Sequence, residues 1–362
     1  MKNAWAVFAL GGAIAAMGQS DSQHATRLAM DIGGATVTRV AAGETEWVYQ
    51  WPGVYFEAHF RGDRVSLHMD DANNYLNVLV DGHELMELKR VGTTVVTLEH
   101  LGKGEHTVRL EKRTETQTST GAFGGFFVDE KADALPSVER ARKIEFLGDS
   151  LTAGYGNRSA FSNCSVEDIF ETTDTTAAFG PQVAKHFNAE YEVRAFSGLG
   201  MVRNYGGTAF PQYRLPNLWR RAIFADPQPD TRAWMPQVVV IGIGGNDFST
   251  HVTPSERWKT QDELAAEYAR TYVQFLHELR KIYPKALLVM TWTTDMDKLY
   301  TQSAAKAFAQ AQSEGIGNTD HLEFPAMART GCNGHPNIRD DARVAELLEA
   351  LIARHGEAWQ GQ

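Results

Sequence analysis

The pattern of apolar residues changes once along this chain, near residue 133, and that change limits the fold more than any other feature. Before it, short runs of strand-forming residues recur with turn signals between them, as at residues 47–51, 54–60 and 75–80. Repeated short strands of this kind are typical of an antiparallel sandwich or jelly roll. We therefore predict a β-sandwich (jelly-roll) domain over residues 25–132.

After a short charged linker, the rhythm becomes that of an α/β domain. Apolar, strand-like runs occur at residues 144–147, 238–241 and 287–290, and a helical pattern extends over residues 263–282. Short apolar strands that alternate with helices indicate a parallel sheet covered by helices. We predict that residues 140–362 form this second domain, with its ligand site beyond the carboxyl ends of the strands.

The composition is that of an ordinary globular protein. The chain has 362 residues, of which 43% are hydrophobic and 22% charged, and this argues against a disordered, collagenous or coiled-coil chain. The 45 Asp and Glu residues outnumber the 35 Lys and Arg residues, which gives a formal net charge of −10. Nucleic-acid-binding proteins normally carry a basic excess, so we expect no nucleic-acid partner. The oligomeric state is left open.

The N-terminal segment has the features of a signal peptide. A single lysine is followed by an uncharged run over residues 4–17, and Ala16 and Gly18 supply small residues for a cleavage site. The run is too short to span a bilayer comfortably. We predict a signal peptide over residues 1–20 and a secreted or periplasmic protein with no membrane span after cleavage. The alternative is a buried N-terminal helix.

The candidate nucleophile is a serine in a turn after the first apolar strand of the second domain. Gly148-Asp149-Ser150-Leu151 follows that strand directly. A serine in such a turn can attack a carbonyl and donate its backbone N–H to the oxyanion, provided that a base accepts its proton. The G-x-S-x-G elbow of α/β-hydrolases is absent, because residue 152 is threonine. The alternative for Ser150 is a helix-capping or turn serine.

Two glycine-rich loops supply candidate oxyanion donors. Ser197-Gly198-Leu199-Gly200 follows the strand-like residues 191–195, and Asn246 follows the next strand within Gly244-Gly245-Asn246-Asp247. A glycine N–H and an asparagine amide are neutral donors suited to a developing oxyanion. The alternatives are tight turns for the glycines and an Asx-turn for the asparagine. The sequence has no G-x-x-x-x-G-K-[ST] phosphate loop.

The candidate base is His335, on a loop just before an amphipathic helix that Asn337 can cap. A catalytic histidine needs an acceptor on its second nitrogen. The four residues before it include no carboxylate, so a carbonyl oxygen of Asn333, from backbone or side chain, is the candidate acceptor. The Asp320-His321 pair is a rival, which we interpret as part of a surface loop.

The two cysteines, Cys164 and Cys332, can form one disulfide in an exported protein. The alternative is a pair of small buried thiols. Cys332 lies three residues before His335, so a disulfide at this position is expected to hold the histidine loop.

Together these blocks resemble the SGNH/GDSL hydrolase superfamily. Gly-Asp-Ser-Leu is similar to its first block, Gly198 to its second, Gly-Gly-Asn-Asp to its third and His335-Pro336 to its last. Trp51-Pro52-Gly53 and residues 77–82 and 104–110 are similar to the jelly-roll domain of carbohydrate esterase family 2. The resemblance implies an SGNH-hydrolase three-layer parallel-sheet domain preceded by the β-sandwich.

The resemblance also implies a serine esterase that removes O-acetyl groups from acetylated polysaccharides or oligosaccharides through an acyl-enzyme. The superfamily places its triad carboxylate three residues before the histidine, where this chain has Cys332. We therefore expect a Ser150–His335 dyad in which a carbonyl of Asn333 orients the imidazole.

The expected oxyanion donors are the N–H groups of Ser150 and Gly198 together with the side-chain amide of Asn246. Gly200 is the alternative to Gly198 as the second backbone donor, since the spacing permits either glycine.

Three further residues are the candidate sugar contacts, namely Asp149, Phe248 and Trp292. The expected chemistry requires no metal and no cofactor. Two alternatives remain: another short-chain esterase or thioesterase on the same fold, and a carbohydrate-binding protein with weak catalysis.

Overall fold

A computed structural model describes residues 7–10, 13–18 and 25–360, with side chains described from residue 25 onward. The chain divides into two compact units. The first contains Met1–Glu139 together with the short segment Ala222–Pro227, and the second contains Arg140–Arg221 and Gln228–Gln362.

The first unit is built from antiparallel strands. The alternation of buried and exposed residues in the segment Arg64–Asp71 shows why, because one face of each strand enters the core. The strands are β1 (Val7–Leu10), β2 (Ala13–Gly18), β3 (Ala25–Arg27), β4 (Met30–Gly33), β5 (Thr36–Ala41), β6 (Glu44–Tyr49), β7 (Tyr55–Arg61), β8 (Arg64–Asp71), β9 (Tyr75–Val80), β10 (His83–Lys89), β11 (Gly92–Glu99), β12 (Glu105–Lys112), β13 (Gly121–Asp129) and β14 (Asp133–Ala134).

These strands form two sheets. The larger has the order β1-β2-β11-β8-β13-β6-β5, with β3 beside β13. The smaller has the order β10-β9-β12-β7-β14, with β4 beside β7. Phe56 of β7 and Phe123 of β13 contact each other with ring centroids 4.8 Å apart, so aromatic side chains of both sheets meet in one core.

The segment Ala222–Pro227 completes the core of the first unit. Its Phe224 ring lies 4.6 Å from the ring of Trp51, which is fully buried. The Phe224 N–H donates a 2.8 Å hydrogen bond to the side-chain oxygen of Gln50. The predicted second domain, residues 140–362, included this whole segment, because contacts over such a separation leave no local pattern.

The second unit alternates strands and helices. Its elements are β15 (Arg142–Gly148), α1 (Ser150–Ala153), α2 (Val166–Thr172), α3 (Phe179–His186), β16 (Ala189–Ala195), α4 (Leu215–Leu218), β17 (Val238–Gly242), α5 (Gln261–Ile282), β18 (Leu287–Thr293), α6 (Lys298–Ser313), β19 (Thr319–Phe324) and α7 (Ile338–Arg354). Short 3₁₀ turns occur at Thr175–Ala177, Tyr205–Gly207, Cys332–Gly334 and Gly356–Trp359.

The five strands of this unit form one parallel sheet in the order β16-β15-β17-β18-β19. Helix α3 packs against α7, and α5 packs against α6. Because crossovers between parallel strands are right-handed, the two helix pairs cover opposite faces of the sheet. The predicted fold class, an antiparallel β-domain followed by a parallel α/β domain, is confirmed.

One local prediction is wrong. Asp320 and His321 do not lie in a surface loop but in the edge strand β19, which pairs with β18. Their polar side chains do not give the apolar pattern of a buried strand, and β19 pairs with a neighbouring strand, β18, on one side only. Asp320 accepts a 2.8 Å hydrogen bond from His355, at the end of α7.

The predicted signal segment lies largely outside the described residues. Of residues 1–20 the structure describes only the backbone of β1 and β2, and β2 lies between β1 and β11 in the larger sheet. Export therefore stays a prediction. Within the described residues, no helix combines the length and the apolar character needed to cross a membrane.

Candidate active site

Ser150 is the first residue of the short helix α1, and only Asp149 separates it from the carboxyl end of β15. Asp149 caps this helix by accepting the Leu151 N–H at 3.1 Å. The Ser150 hydroxyl therefore lies at the edge of the parallel sheet where ligand sites occur in open α/β folds. Local sequence explains this arrangement, because an apolar strand, a glycine and a helix-capping aspartate follow one another.

Ser150 and His335 form a hydrogen-bonded pair. The Nε2 atom of His335 lies 2.8 Å from the Oγ of Ser150, within reach for proton transfer. The Nδ1 atom lies 2.9 Å from the backbone oxygen of Cys332. A carbonyl oxygen only accepts, so Nδ1 carries the proton and Nε2 is free to accept the serine proton.

The carbonyl that orients the histidine belongs to Cys332, which corrects the assignment to Asn333. The backbone at Asn333 is left-handed, with φ 53° and ψ 36°, and the turn directs the Cys332 oxygen towards His335. That oxygen also accepts the backbone N–H of His335 at 3.1 Å. The Asn333 amide instead donates to the hydroxyl of Tyr155 at 3.2 Å.

The surroundings of His335 favour its neutral form. Burial lowers the pKa of His335 from 6.5 to about 4. The nearby positive charge of Arg329 lowers the pKa further, whereas the hydrogen bond to the Cys332 carbonyl raises it. A backbone hydrogen bond with Asn333 also raises the pKa of His335. The imidazole is therefore ready to act as a base in mildly acidic as well as neutral solution.

We expect the acid limb of the kcat/KM profile to lie near pH 4. A base acts when it is deprotonated, so activity should rise as the pH increases through the pKa of His335, about 4, and be lost below it. Initial rates on a non-ionising acetyl ester between pH 3 and 8 measure this limb. Recovery of activity on return to neutral pH is the control for acid unfolding. A limb at the ordinary histidine value, near 6.5, would contradict the expectation.

A disulfide anchors the histidine loop. Cys332 is bonded to Cys164 across a sequence separation of 168 residues. The N–H of Cys332 donates to the Gly156 oxygen at 3.2 Å, and the N–H of Asn333 donates to the Ser162 oxygen at 2.6 Å. The loop that supplies the orienting carbonyl is therefore fixed to residues near the serine helix by covalent and hydrogen bonds. Of the two interpretations of the cysteines, the structure contains the disulfide.

The structure separates the two candidate glycine donors. The Gly200 N–H donates to the side-chain oxygen of Asn204 at 3.0 Å, so that donor is already used. Within residues 25–360, neither the Gly198 N–H nor the Ser150 N–H has a hydrogen-bond acceptor. Gly198 has φ +89°, a left-handed conformation that favours glycine. This geometry favours Gly198 over Gly200 as an oxyanion donor.

Asn246 is buried and held in place by two contacts. Its Nδ2 atom donates to Asp149 Oδ2 at 3.1 Å and to the Leu199 oxygen at 2.8 Å. The amide thus lies between the serine turn and the Gly198 loop. Its role as an oxyanion donor requires one of its two hydrogens to turn from these acceptors towards the oxyanion, and it stays a prediction.

We expect Asn246→Ala to lower kcat by roughly 10²- to 10³-fold with little change in KM, as for the loss of one oxyanion donor. Steady-state rates on an acetyl ester, with Tm measured for both proteins, test this. If Asn246 only supports the neighbouring loops, the substitution should lower Tm while kcat of the folded enzyme stays close to that of the wild type.

Asp247 joins the two donor loops and was named in the sequence only as part of a motif. It is fully buried and accepts the N–H groups of Met201, Val202 and Arg203 at 2.8, 2.7 and 2.8 Å. Burial raises its pKa to about 6, and these three hydrogen bonds oppose that shift. Asp247 therefore fixes the backbone that follows Gly198.

Two tyrosines of helix α5 support the loop that carries Asn246 and the strand before it. The hydroxyl of Tyr268 donates to the Ile243 oxygen at 2.9 Å, and that of Tyr272 donates to the Ile241 oxygen at 3.1 Å. A Cβ atom on Gly244 would lie 2.4 Å from the Tyr268 hydroxyl, so the close approach requires glycine. The loop that carries Asn246 is thus built on packed aromatic residues.

The structure assigns the three candidate sugar contacts to other roles. Asp149 is 5% exposed, and its two oxygens hold α1 and Asn246. Phe248 is 6% exposed and packs in the core between the Tyr268 and Tyr300 rings. Trp292 is 3% exposed and donates its indole N–H to a glutamate on β19 at 2.8 Å. These residues support the fold and offer no open surface to a sugar, which corrects their assignment.

Two tyrosines that sequence analysis missed lie beside the dyad and the donor loop. The Tyr155 ring packs against His335 with centroids 4.3 Å apart. Tyr205 is 61% exposed, and its N–H donates to the Gly198 oxygen at 2.9 Å. A tyrosine after the donor loop was visible in Asn204-Tyr205-Gly206-Gly207, but only the structure shows that its ring is open to solvent.

Comparison with known proteins agrees with this geometry. The family model described as Carbohydrate esterase 2 N-terminal matches residues 36–137, and that of the GDSL-like Lipase/Acylhydrolase family matches residues 146–356. The chain is 37% identical to an acetylxylan esterase / glucomannan deacetylase of Cellvibrio japonicus, over 97% of this chain and 99% of that protein.

Solved structures show the same architecture. A carbohydrate esterase described as having divergent catalytic and non-catalytic binding functions at its active site superposes with a TM-score of 0.87, at 36% identity over 92% of this chain and 100% of that chain. A family two carbohydrate esterase of Clostridium thermocellum, solved with cellohexaose, shares the fold with a TM-score of 0.77, at 24% identity over 91% of this chain and 100% of that chain. The chain belongs to carbohydrate esterase family 2 and is a carboxylic ester hydrolase with a GDSL-like second unit.

Proposed function

We propose that this enzyme removes O-acetyl groups from acetylated xylan, glucomannan or their oligosaccharides. The observation that carries the proposal is the contact between Ser150 Oγ and His335 Nε2 in a chain that shares 37% identity, end to end, with an acetylxylan esterase / glucomannan deacetylase. A serine–histidine pair can catalyse any acyl transfer. The proposed preference for carbohydrate esters therefore depends on the similarity to this acetylxylan esterase / glucomannan deacetylase.

In the proposed mechanism, His335 Nε2 accepts the proton of Ser150 as the serine oxygen attacks the acetyl carbonyl. The N–H groups of Ser150 and Gly198, with the Asn246 amide, then bind the oxyanion. His335 returns the proton to the departing sugar hydroxyl, which leaves an acetyl ester on Ser150. Water, deprotonated by the same histidine, attacks this ester and releases acetate.

The Cys332 carbonyl takes the place that a carboxylate holds in a Ser-His-Asp triad. It fixes the tautomer and the ring orientation, but a neutral dipole stabilises the imidazolium less than a full negative charge would. The proposal therefore predicts that base catalysis in this dyad depends mainly on orientation. The disulfide at Cys332 supports that orientation.

Tyr205 is our candidate for sugar stacking, because its ring is exposed beside the Gly198 loop. Tyr205→Ala should lower kcat/KM for acetylxylan by about 3- to 10-fold, as expected for the loss of one aromatic contact, and leave the rate on a small aryl acetate nearly unchanged. Tyr205→Phe keeps the ring and is the matched control. Equal losses on both substrates would contradict a stacking role.

Acetate release decides the substrate class. Wild type and Ser150→Ala are assayed on acetylated xylan, acetylated glucomannan and acetylated pectin, and on esters from acetyl to octanoyl. We expect wild type to release acetate from xylan or glucomannan and to prefer the acetyl ester. Faster octanoyl turnover would indicate another esterase class. Equal background rates for both proteins, with retained oligosaccharide binding, would indicate a carbohydrate-binding protein.

We further propose that the enzyme works outside the cytoplasm. The Cys164–Cys332 disulfide supports this, because disulfides persist in oxidising compartments, and so does the signal-like sequence over residues 1–20. Expression of the full chain in a bacterium, followed by mass spectrometry of the exported protein, should show cleavage near residue 20. Unprocessed protein confined to the cytoplasm would contradict this proposal.

A further inference from the structure

Three metal-ligating side chains converge on the smaller sheet of the first unit. Asp31 on β4 pairs directly with Glu57 on β7, and His59 lies two residues further along β7. Residues paired across a sheet, and residues two apart on one strand, point to the same face. One ligand atom from each of the three side chains lies within 4.8 Å of the others.

Two polar atoms of these side chains are buried without a hydrogen-bond partner. Within the described residues, neither Asp31 Oδ2 nor His59 Nε2 has a hydrogen-bond partner, although both atoms are shielded from solvent. Glu57 between them is only 3% exposed, and its Oε1 lies 3.8 Å from His59 Nε2. Buried polar atoms without partners are costly and rare in native proteins, so two of them in one cluster call for a bound group.

The neighbouring strand β12 orients these side chains as outer residues orient metal ligands. The hydroxyl of Thr107 lies 3.1 Å from His59 Nδ1, where it can accept the ring proton and leave the Nε2 lone pair facing the cluster. Arg109 donates to Glu57 Oε2 at 2.9 Å, which holds that carboxylate by its other oxygen.

The local charge also favours a cation. Arg109 shares its single positive charge between Glu57 and Glu111, to which it donates at 2.6 Å. With Asp31 beside Glu57, these groups comprise three carboxylates and one guanidinium. A divalent ion at the cluster would neutralise this excess of negative charge.

We propose that Asp31, Glu57 and His59 bind one divalent transition-metal ion, with zinc as the best match. One imidazole and two carboxylates form a donor set that suits zinc, with water as the fourth ligand, whereas calcium and magnesium prefer oxygen ligands alone. The ion cross-links β4 to β7 and stabilises the first unit. All three residues belong to the first unit, whereas Ser150 and His335 belong to the second.

The test uses the full chain without an affinity tag, stripped of metal by a chelator and dialysed. Calorimetric titration with zinc chloride, and Tm with and without zinc, are measured for wild type, Asp31→Asn and His59→Gln. His106→Gln is the matched control, since His106 on the same sheet bonds a single carboxylate, Asp81, at 2.8 Å. We expect wild type and His106→Gln to bind one zinc per chain and to gain several degrees in Tm.

Asp31→Asn and His59→Gln should each weaken zinc binding by at least about tenfold and lose the gain in Tm. Undiminished binding by His59→Gln would place the metal elsewhere and overturn the proposal. Wild type that binds no zinc would also overturn it. If a variant does not fold, the visible absorption of the wild type loaded with cobalt(II) is measured in place of the comparison between variants. Intense visible absorption supports a low-coordinate site, and the weak spectrum of hydrated cobalt overturns it.

Discussion

Ser150→Ala is expected to lower kcat for acetyl ester hydrolysis by roughly 10⁴- to 10⁶-fold, because without the hydroxyl no acyl-enzyme forms. The hydroxyl is bonded to His335 Nε2 at 2.8 Å, and the side chain contributes little to the core. The fold and Tm should therefore be nearly unchanged. Initial rates on an aryl acetate and acetate release from acetylxylan measure the loss.

The double variant Ser150→Ala/His335→Ala sharpens this test. Residues that act as one unit lose their effects together, so the double variant should be no slower than Ser150→Ala alone. His335→Ala by itself should approach the same residual rate. If the two losses multiplied instead, the serine and the histidine would be acting independently, which contradicts the proton transfer between them.

Removal of the disulfide is expected to reduce both stability and turnover. Cys164→Ser/Cys332→Ser frees a loop of 168 residues in the unfolded chain, and we expect a loss of about 2–4 kcal/mol in the free energy of unfolding. The orienting carbonyl belongs to Cys332 itself, so a looser loop should misplace His335 and lower kcat by about 10- to 100-fold. KM should change little. Chemical unfolding and steady-state kinetics measure the two effects.

Reduction and reoxidation of the wild type provide the control for this variant. Treatment with a thiol should reproduce the slower turnover, and reoxidation should restore it, without any change of sequence. A variant that is less stable but turns over substrate at the wild-type rate would show that hydrogen bonds from Cys332 and Asn333 to Gly156 and Ser162 hold the loop without the disulfide.

Local pattern predicted most of the regular elements. Helix α5 carries its own apolar stripe and an N-terminal cap from Thr260, so its extent followed from the sequence within two residues. Strand β13, which contains Gly121, Gly124 and Gly125, was not among the strands named from the sequence. It forms a strand because β8 and β6 pair with it on either side, which is information held elsewhere in the chain.

For the candidate site, too, the sequence predicted some features and the tertiary structure was needed for others. The sequence marked Ser150, His335, Gly198 and Asn246, because each follows a strand or precedes a helix in a recognisable block. It did not identify the carbonyl that orients His335, since that depends on the left-handed turn at Asn333. The choice of Gly198 over Gly200 likewise depends on a side chain, Asn204, that takes up one of the two N–H groups.

The sequence by itself determined the order of the two domains, and it predicted the class of reaction and the residues proposed to carry it. The domain order depends on short-range periodicity, and the reaction class was implied by short motifs within single loops that resemble those of a known superfamily. Tertiary structure alone decided that Phe248 and Trp292 are core residues, and that Asp31 lies beside Glu57. The reason is physical: burial and strand register depend on packing between distant segments, and the residues near each position do not specify it.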